Sequence, residues 1–400
     1  MRRAIAFGPV LLALLLLTSG CWDYRETDQL AIVYALGLDR VPGSESILLT
    51  VQVITPAAGK RSGASAAAGA ESKSFTTLSG TGKSVFDAIS RLGRKLPRRL
   101  YFAHTKIVIF GKTLAEAGLG DVLDALNRNP EIRSTTLMFA TDGSAKRILT
   151  QSTPLERLPA KGLEMIAEKS KRNAFVPEVN LNSLNCRFDG VPGAAFLPLV
   201  QLVKDPGSPS GSGTGENLMI SRTGIFAGER LVGILTRDES KGLMWLINRP
   251  QGQNVTLDGA GGTGVSALRI LAGQTNIVPQ VSESGITMEI QCSARANVRE
   301  TETVGIDLND PASLQKLEHE AEQVIKRQVE ETVTDAESGL GADFVGFGRH
   351  VRAEYPAEWK RVEADWDDVF PSVRFEVVCR IKIVNTGVIN NPSRSGAGKE

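Results

Sequence analysis

The stretch ITMEIQCSARANV, residues 286–298, decides the fold class. Ile286, Met288, Ile290, Cys292 and Ala294 share one side of an alternation whose other side carries Thr287, Glu289 and Gln291. A period of two over such a run is that of a strand with one buried face. The run VRFEVVCRIKI, residues 373–383, repeats the pattern, with Val373, Phe375, Val377, Cys379, Ile381 and Ile383 on one side. Between the two runs lies a long helix. Asp310 supplies the N-cap oxygen, Pro311 fits the first helical position because it has no N–H to lose, and Leu314, Leu317, Ala321, Val324, Ile325 and Gln328 fall on one face. That helix is expected to pack on the sheet holding Cys292 and Cys379, which places the chain in the α+β class, as mixed sheets packed with helices.

Working outward toward the N-terminus, TGIFAGERLVGILT (223–236) reads as a hairpin turning at Gly228 and Glu229, followed by a helix opened by Asp238 or Ser240. Earlier still, strands and helices alternate: AIVYALGLD, SILLTVQVIT, KIVIFG and STTLMFAT read as strands. Residues 84–95, LAEAGLGDVLDALNRN and SAKRIL read as helices. Segments 56–72, 205–216 and 390–400 are poor in large apolar residues, so they cannot repay the entropy of ordering. We therefore expect an N-terminal α/β domain over 22–204 with a flexible insertion at 56–72, a linker at 205–216, and a C-terminal α+β region over 217–389. That region is expected to divide into two subdomains near 280–300, giving two or three domains in all, before a flexible tail at 390–400.

The chain opens MRRAIAFGPVLLALLLLTSGCW. Two arginines, an apolar core of about ten residues, and small residues before Cys21 form a lipoprotein-type signal, too short for the ~20 residues a spanning helix needs. Cleavage after Gly20 would free residues 1–20 and leave Cys21 to carry a covalent diacylglyceryl group. Two acyl chains anchor stably where one is marginal. No other cofactor is expected. Loss of Arg2 and Arg3 turns 46 basic and 45 acidic residues into 44 and 45. So balanced a charge carries no footprint for nucleic acid. Past Cys21 remain Cys186, Cys292 and Cys379, of which the last two point into a core, as buried thiols or as a disulfide. With three histidines and no metal-like spacing, no zinc site is expected.

Two glycine-rich motifs invite a nucleotide reading. SGTGKS, residues 79–84, lacks the first glycine of a phosphate-cradling loop, because Thr77 stands there. Ser84 and Asp87 instead fit a helix cap. GAGGTG, residues 259–264, has no surrounding strand–helix–strand unit and reads as a hairpin or loop. Nothing resembles a nucleophile elbow, a zinc-protease helix or a triad, so no catalytic residue is assigned and the chain is not expected to be an enzyme. Two features remain as candidate membrane or partner contacts. Arg91, Arg94, Lys95, Arg98 and Arg99 form a basic run, which is either a solvated helix end or a contact for lipid headgroups or an acidic partner. Trp359 and Trp366 recur at helical spacing, either packed on their own sheet or facing a partner.

Several stretches together resemble the Ger(x)C lipoproteins, the C subunits of GerA-type spore germinant receptors. Cys21, Trp22, Asp23, Arg25 and Glu26 resemble that family's mature start. KSVFDAISRLGRKLPRRLYFAHTKIVIFG, with Pro97, Arg98, Arg99 and His104, is similar to its N-terminal helix-to-strand segment. GIFAGERLVGILTRDESKGLMWLIN resembles the start of its C-terminal region, and ADFVGFGRHVRAEYPAEWKRVEADWDDVF its last helical segment, with Asp343, Gly346, Gly348, Pro356, Trp359 and Trp366. Thr18 in the signal and the insertion after Pro56 depart from the pattern. The resemblance implies an ectodomain held on the outer face of the spore inner membrane. It also implies assembly with two integral-membrane subunits, A and B, in nutrient sensing. The competing expectation is a solute-binding lipoprotein of a transporter, disfavoured because the C-terminal half lacks repeated strand–helix alternation around a cleft.

Overall fold

A computed structural model describes residues 26–55, 75–151, 156, 158–190, 194–204, 216–258, 264–283, 285–301 and 307–386. Cys21, the signal, the insertion and the tail lie outside these residues.

The first sheet contains β1 (Leu30–Arg40), β2 (Ile47–Ile54), β3 (Phe75–Gly82), β4 (Arg99–Tyr101), β5 (Ile107–Phe110), β6 (Leu137–Thr141), β7 (Ala194–Lys204), β8 (Glu216–Ala227) and β9 (Arg230–Leu235). Its order is β3-β2-β1-β5-β6-β7-β8-β9, with β4 beside the start of β1. The central strands β1, β5, β6 and β7 run parallel, while β2, β3, β8 and β9 are antiparallel flanks. Parallel strands need crossovers, and these supply α1 (Val85–Gly93), α2 (Lys112–Ala117), α3 (Gly120–Arg128), α4 (Ala145–Thr150), α5 (Pro159–Asn173) and α6 (Leu181–Phe188). Helices cover both faces, so β5 is apolar throughout: Ile107 and Ile109 pack with α4 and α5, and Val108 and Phe110 face the opposite core. The single helix expected at LAEAGLGDVLDALNRN is two, because Gly118 takes φ +124 and breaks the run.

After the Gly228 turn, α7 (Arg237–Leu246) leads to the second sheet. Its cap is Thr236 rather than Asp238 or Ser240, since Thr236 and Glu239 form a reciprocal capping box. The second sheet orders β10 (Asn254–Asp258), β11 (Val265–Ser282), β12 (Gly285–Thr301) and β13 (Arg374–Asn385). β12 and β13 are parallel, joined through α8 (Pro311–Thr334), α9 (Phe347–Glu354), α10 (Pro356–Val362) and α11 (Trp366–Val369). Asp310 accepts hydrogen bonds from the amides of Ala312 and Ser313, as its cap position requires. Leu317, Ala321, Ile325 and Val329 are buried against the sheet. Cys292 stands directly across from Cys379, and both are free thiols. The neighbouring Cys292 thiol, and then burial, hold Cys379 above the ordinary thiol range.

The class is α+β, in multidomain form, but the strand pairing differs from expectation at two places. β7 and β8 pair antiparallel across 205–215, so the first sheet continues through the expected linker and closes at β9. The sheets change over at α7. The expected division near 280–300 falls inside the β11–β12 hairpin, whose register runs from Ser282–Gly285 to Ser266–Thr301, so no subdomain break exists there. A contiguous apolar core joins the layers of both sheets.

Candidate functional site

In sheets with a parallel centre, ligands enter where the strand order reverses, outside the carboxyl ends. Here the order reverses between β1 and β5, with β2 and β3 on one side and β6 and β7 on the other, so a ligand would enter beyond the ends of those two strands. The space beyond β1 is filled. Asp39 is buried and accepts hydrogen bonds from Ser144 Oγ at 3.0 Å and from the amides of Ala145 and Lys146 at 2.8 and 2.9 Å. The chain's own carboxylate thus meets the first amides of α4, where a phosphate would otherwise be held.

SGTGKS serves packing. Gly80 and Gly82 lie in β3, and a Cβ on Gly82 would come within 2.3 Å of the Ala88 nitrogen. Glycine is required because α1 crosses its own strand at close range. Ser84 caps α1 by accepting from the Asp87 amide at 3.2 Å, while the Lys83 amide donates to Asp87 Oδ2 at 2.9 Å. GAGGTG spans the connection between β10 and β11, whose ends Asp258 and Val265 are paired antiparallel. Residues 259–263 lie outside the described set. Neither motif has the setting of a nucleotide site. Among the described residues no group of three or more His, Cys, Asp and Glu side chains could hold a metal ion, and no helix is long and apolar enough to cross a membrane.

The two candidate contact features separate. Trp359 and Trp366 are each 2% exposed, their rings 5.1 Å apart, and Trp366 also packs on Phe370. They belong to the core, which corrects their assignment as partner contacts. The polar anchor of that core is Asp343. Its buried carboxylate accepts from the amides of Gly346, Phe347 and Gly348 at 2.7, 2.8 and 2.7 Å, capping α9, and from Trp366 Nε1 at 3.0 Å. Burial pushes Asp343 up to about 6, against the pull of those four bonds.

The basic run is at the surface. Arg91 pairs with Asp87 at 2.9 Å and Arg99 with Glu131 at 2.7 Å, whereas Arg94, Lys95 and Arg98 are exposed with no ion pair among the described residues. The helix leading into the run carries Phe86, 78% exposed. β4, which contains Arg99, pairs in parallel with Leu30–Ile32, so Leu30 stands directly beside Arg99. Cys21 is nine residues before Leu30. A fully extended link of that length reaches at most about 30 Å. His104 makes an edge contact with Tyr101 at 5.9 Å and has no catalytic partner among the described residues.

Three features escape a reading of the sequence. Asp39 and the pair Glu318 and Glu322 aim carboxylates at backbone amides of other segments, while Asp343 caps the helix just after it and reaches the distant Trp366 indole. Glu322 Oε1 accepts from the Ile381 amide at 3.0 Å and Glu318 Oε1 from the Ile383 amide at 2.8 Å, sealing the outer edge of β13. The available signal was their spacing of four on the face of α8 that also holds Leu317, Ala321 and Ile325.

Comparison with known proteins gives a consistent family. A family model described as "Spore germination protein N-terminal domain" matches residues 23–202, and one described as "Spore germination B3/ GerAC like, C-terminal" matches 221–387. The two models meet across the stretch expected as a linker. Spore germination protein KC of Bacillus subtilis (strain 168) is 27% identical over 96% of this chain and 97% of its own. Spore germination protein B3 of the same organism is 24% identical over 97% of this chain and 100% of its own. The crystal structure of the GerBC protein superposes with a TM-score of 0.56 at 20% identity, covering 88% of this chain and 97% of the other.

Proposed function

This chain belongs to the GerAC-like family of spore germination proteins, and on that premise we propose that it is the non-enzymatic, lipid-anchored C subunit of a nutrient germinant receptor, needed for receptor assembly or signal coupling. The observation that carries the reading is the collinear match of both family models, supported by relatives that align along nearly their whole length. Cys21 holds the diacylglyceryl anchor, and the chain sits on the outer face of the spore inner membrane beside integral-membrane A and B subunits.

The placement of the basic run supports an orientation for this anchored body. A tether that starts at Cys21 and ends at Leu30 delivers the chain beside Arg99, so Arg94, Lys95 and Arg98 lie at the end nearest the lipid. Each such charge close to an anionic surface contributes about 1 kcal/mol. Exposed Phe86 adds an aromatic group suited to the headgroup boundary.

The test is genetic. Spores lacking the chain should lose their germination response to at least one nutrient, regain it with the wild-type gene, and fail to regain it fully with Cys21→Ala. Unchanged responses across a broad nutrient panel would remove the receptor reading.

A further inference from the structure

One cavity has no place in the assembly reading, and its argument stands independently of that reading. It measures about 320 Å³ and opens where α6 meets α7, β11 and α9, at the junction of the two sheet layers. Ligand pockets begin near about 300 Å³. Its polar lining includes Arg187, Arg349, His350 and Asn248, and its apolar lining includes Ile277 and Phe344. No carboxylate lines it.

Arg187 is the central group. Its guanidinium carbon sits 3.8 Å from the centroid of the buried Phe196 ring, which fixes its position on an apolar floor. Among the described residues it has no acidic partner, and the charges that act on it are those of Arg349 and Arg249. Burial, then Arg349 and Arg249, hold Arg187 down to about 10. A half-buried guanidinium facing two like charges is costly without an anion between them. His350 is held below its ordinary value chiefly by burial, so near neutrality its ring can donate without adding further charge. Asn248, at φ +61, accepts from the Thr275 amide through Oδ1 at 3.0 Å, which leaves its NH₂ free to donate at the rim.

A second cavity, of about 280 Å³ at the amino ends of β5 and β6, is different in kind. Its wall mixes Lys106 and Lys171 with Glu164, Glu168 and Glu178. Lys171 pairs with Glu178 at 3.3 Å, and Glu164 is already held by Lys161 at 2.8 Å and by the Tyr34 hydroxyl. Its wall sets carboxylates beside its cations, whereas the lining around Arg187 holds none.

We infer that the cavity around Arg187 binds a small organic anion, its carboxylate or phosphate held by Arg187 and Arg349 and its apolar body lying against Ile277 and Phe344. Guanidinium groups suit this because their planar donors match the paired oxygens of either anion.

The test uses the full-length chain in mild detergent, with thermal unfolding followed in sodium benzoate, in sodium phosphate, and in sodium chloride at matched ionic strength. At least one of the first two should raise the midpoint in a saturable way beyond chloride, and which one does so distinguishes a carboxylate from a phosphate site. Arg187→Gln should weaken that response by about tenfold or more, as expected on losing a hydrogen bond to a charged group. Arg349→Gln, at an exposed position, should weaken it in the same direction and keeps the test decisive if Arg187→Gln does not fold. Benzoate and phosphate both tracking chloride would overturn the inference. So would a saturable rise unchanged in Arg349→Gln.

Discussion

Asp343 shows how one residue organises a segment. The resemblance marked it beside Gly346 and Gly348, whose amides it caps locally with that of Phe347, but the Trp366 indole reaches the same carboxylate only because the chain folds back. That convergence joins residues more than twenty apart and has no periodic signature. Trp366→Phe keeps the ring packing and removes one donor, so it should lower stability by about 1–3 kcal/mol, measured by denaturant unfolding. An unchanged midpoint would show that the indole bond carries nothing. Glu337 lies near Asp343, and burial followed by the Asp343 charge pushes it up to about 7. Both folded-state values lie above the ordinary carboxylate range, so the folded state binds more protons than the unfolded chain in the window between. The contribution of these two groups is therefore largest below the ordinary carboxylate values and is lost as pH rises from about 4 to about 7. In Glu337→Gln the last part of that fall, between about pH 6 and 7, should vanish from a thermal-midpoint profile. Superimposable profiles would contradict the assignment.

At the scale of elements, periodicity was the legible signal. The alternations at 286–298 and 373–383 became β12 and β13, and the apolar stripe with its Asp310 cap became α8. What could not be read was the pairing, because register and neighbour are set by packing rather than by either strand alone. An exposed strand edge is a template for self-association. Glu318 and Glu322 remove that hazard by occupying the outward amides of Ile383 and Ile381. Their replacement in Glu318→Ala/Glu322→Ala should leave both amides unpaired, and light scattering should show concentration-dependent association absent from the wild type. A monomeric double variant at high concentration would sink this role for the carboxylates. The tryptophan pair teaches the same lesson from the other side: helical spacing at Trp359 and Trp366 is equally consistent with either face, and only the packing places both in the core.

At the scale of the molecule, the α+β class was legible, as was the division that the two family models place between 202 and 221, but the strand pairing across it was not. A segment rich in Gly, Ser and Pro at 205–216 looks like a linker, but composition reports only that the segment lacks apolar groups, not whether the strands beside it pair. Here they do. The basic run was legible as a patch, while its nearness to Leu30 follows from β4 lying beside the start of β1. Replacing Arg94, Lys95 and Arg98 together by Gln should weaken partition onto phosphatidylglycerol vesicles by about two orders of magnitude at low salt, at roughly 1 kcal/mol per charge. Binding that is unaffected by these changes, or by added salt, would mean that this end does not face the lipid.

The central claim is that the chain works as one subunit of a membrane receptor, and co-purification tests it most directly. The full-length protein would be drawn from its native spore membranes in mild detergent and its companions identified by mass spectrometry. The account predicts two integral-membrane receptor subunits. Recovery instead of a transporter permease with its ATPase would contradict it and establish a solute-binding lipoprotein in its place.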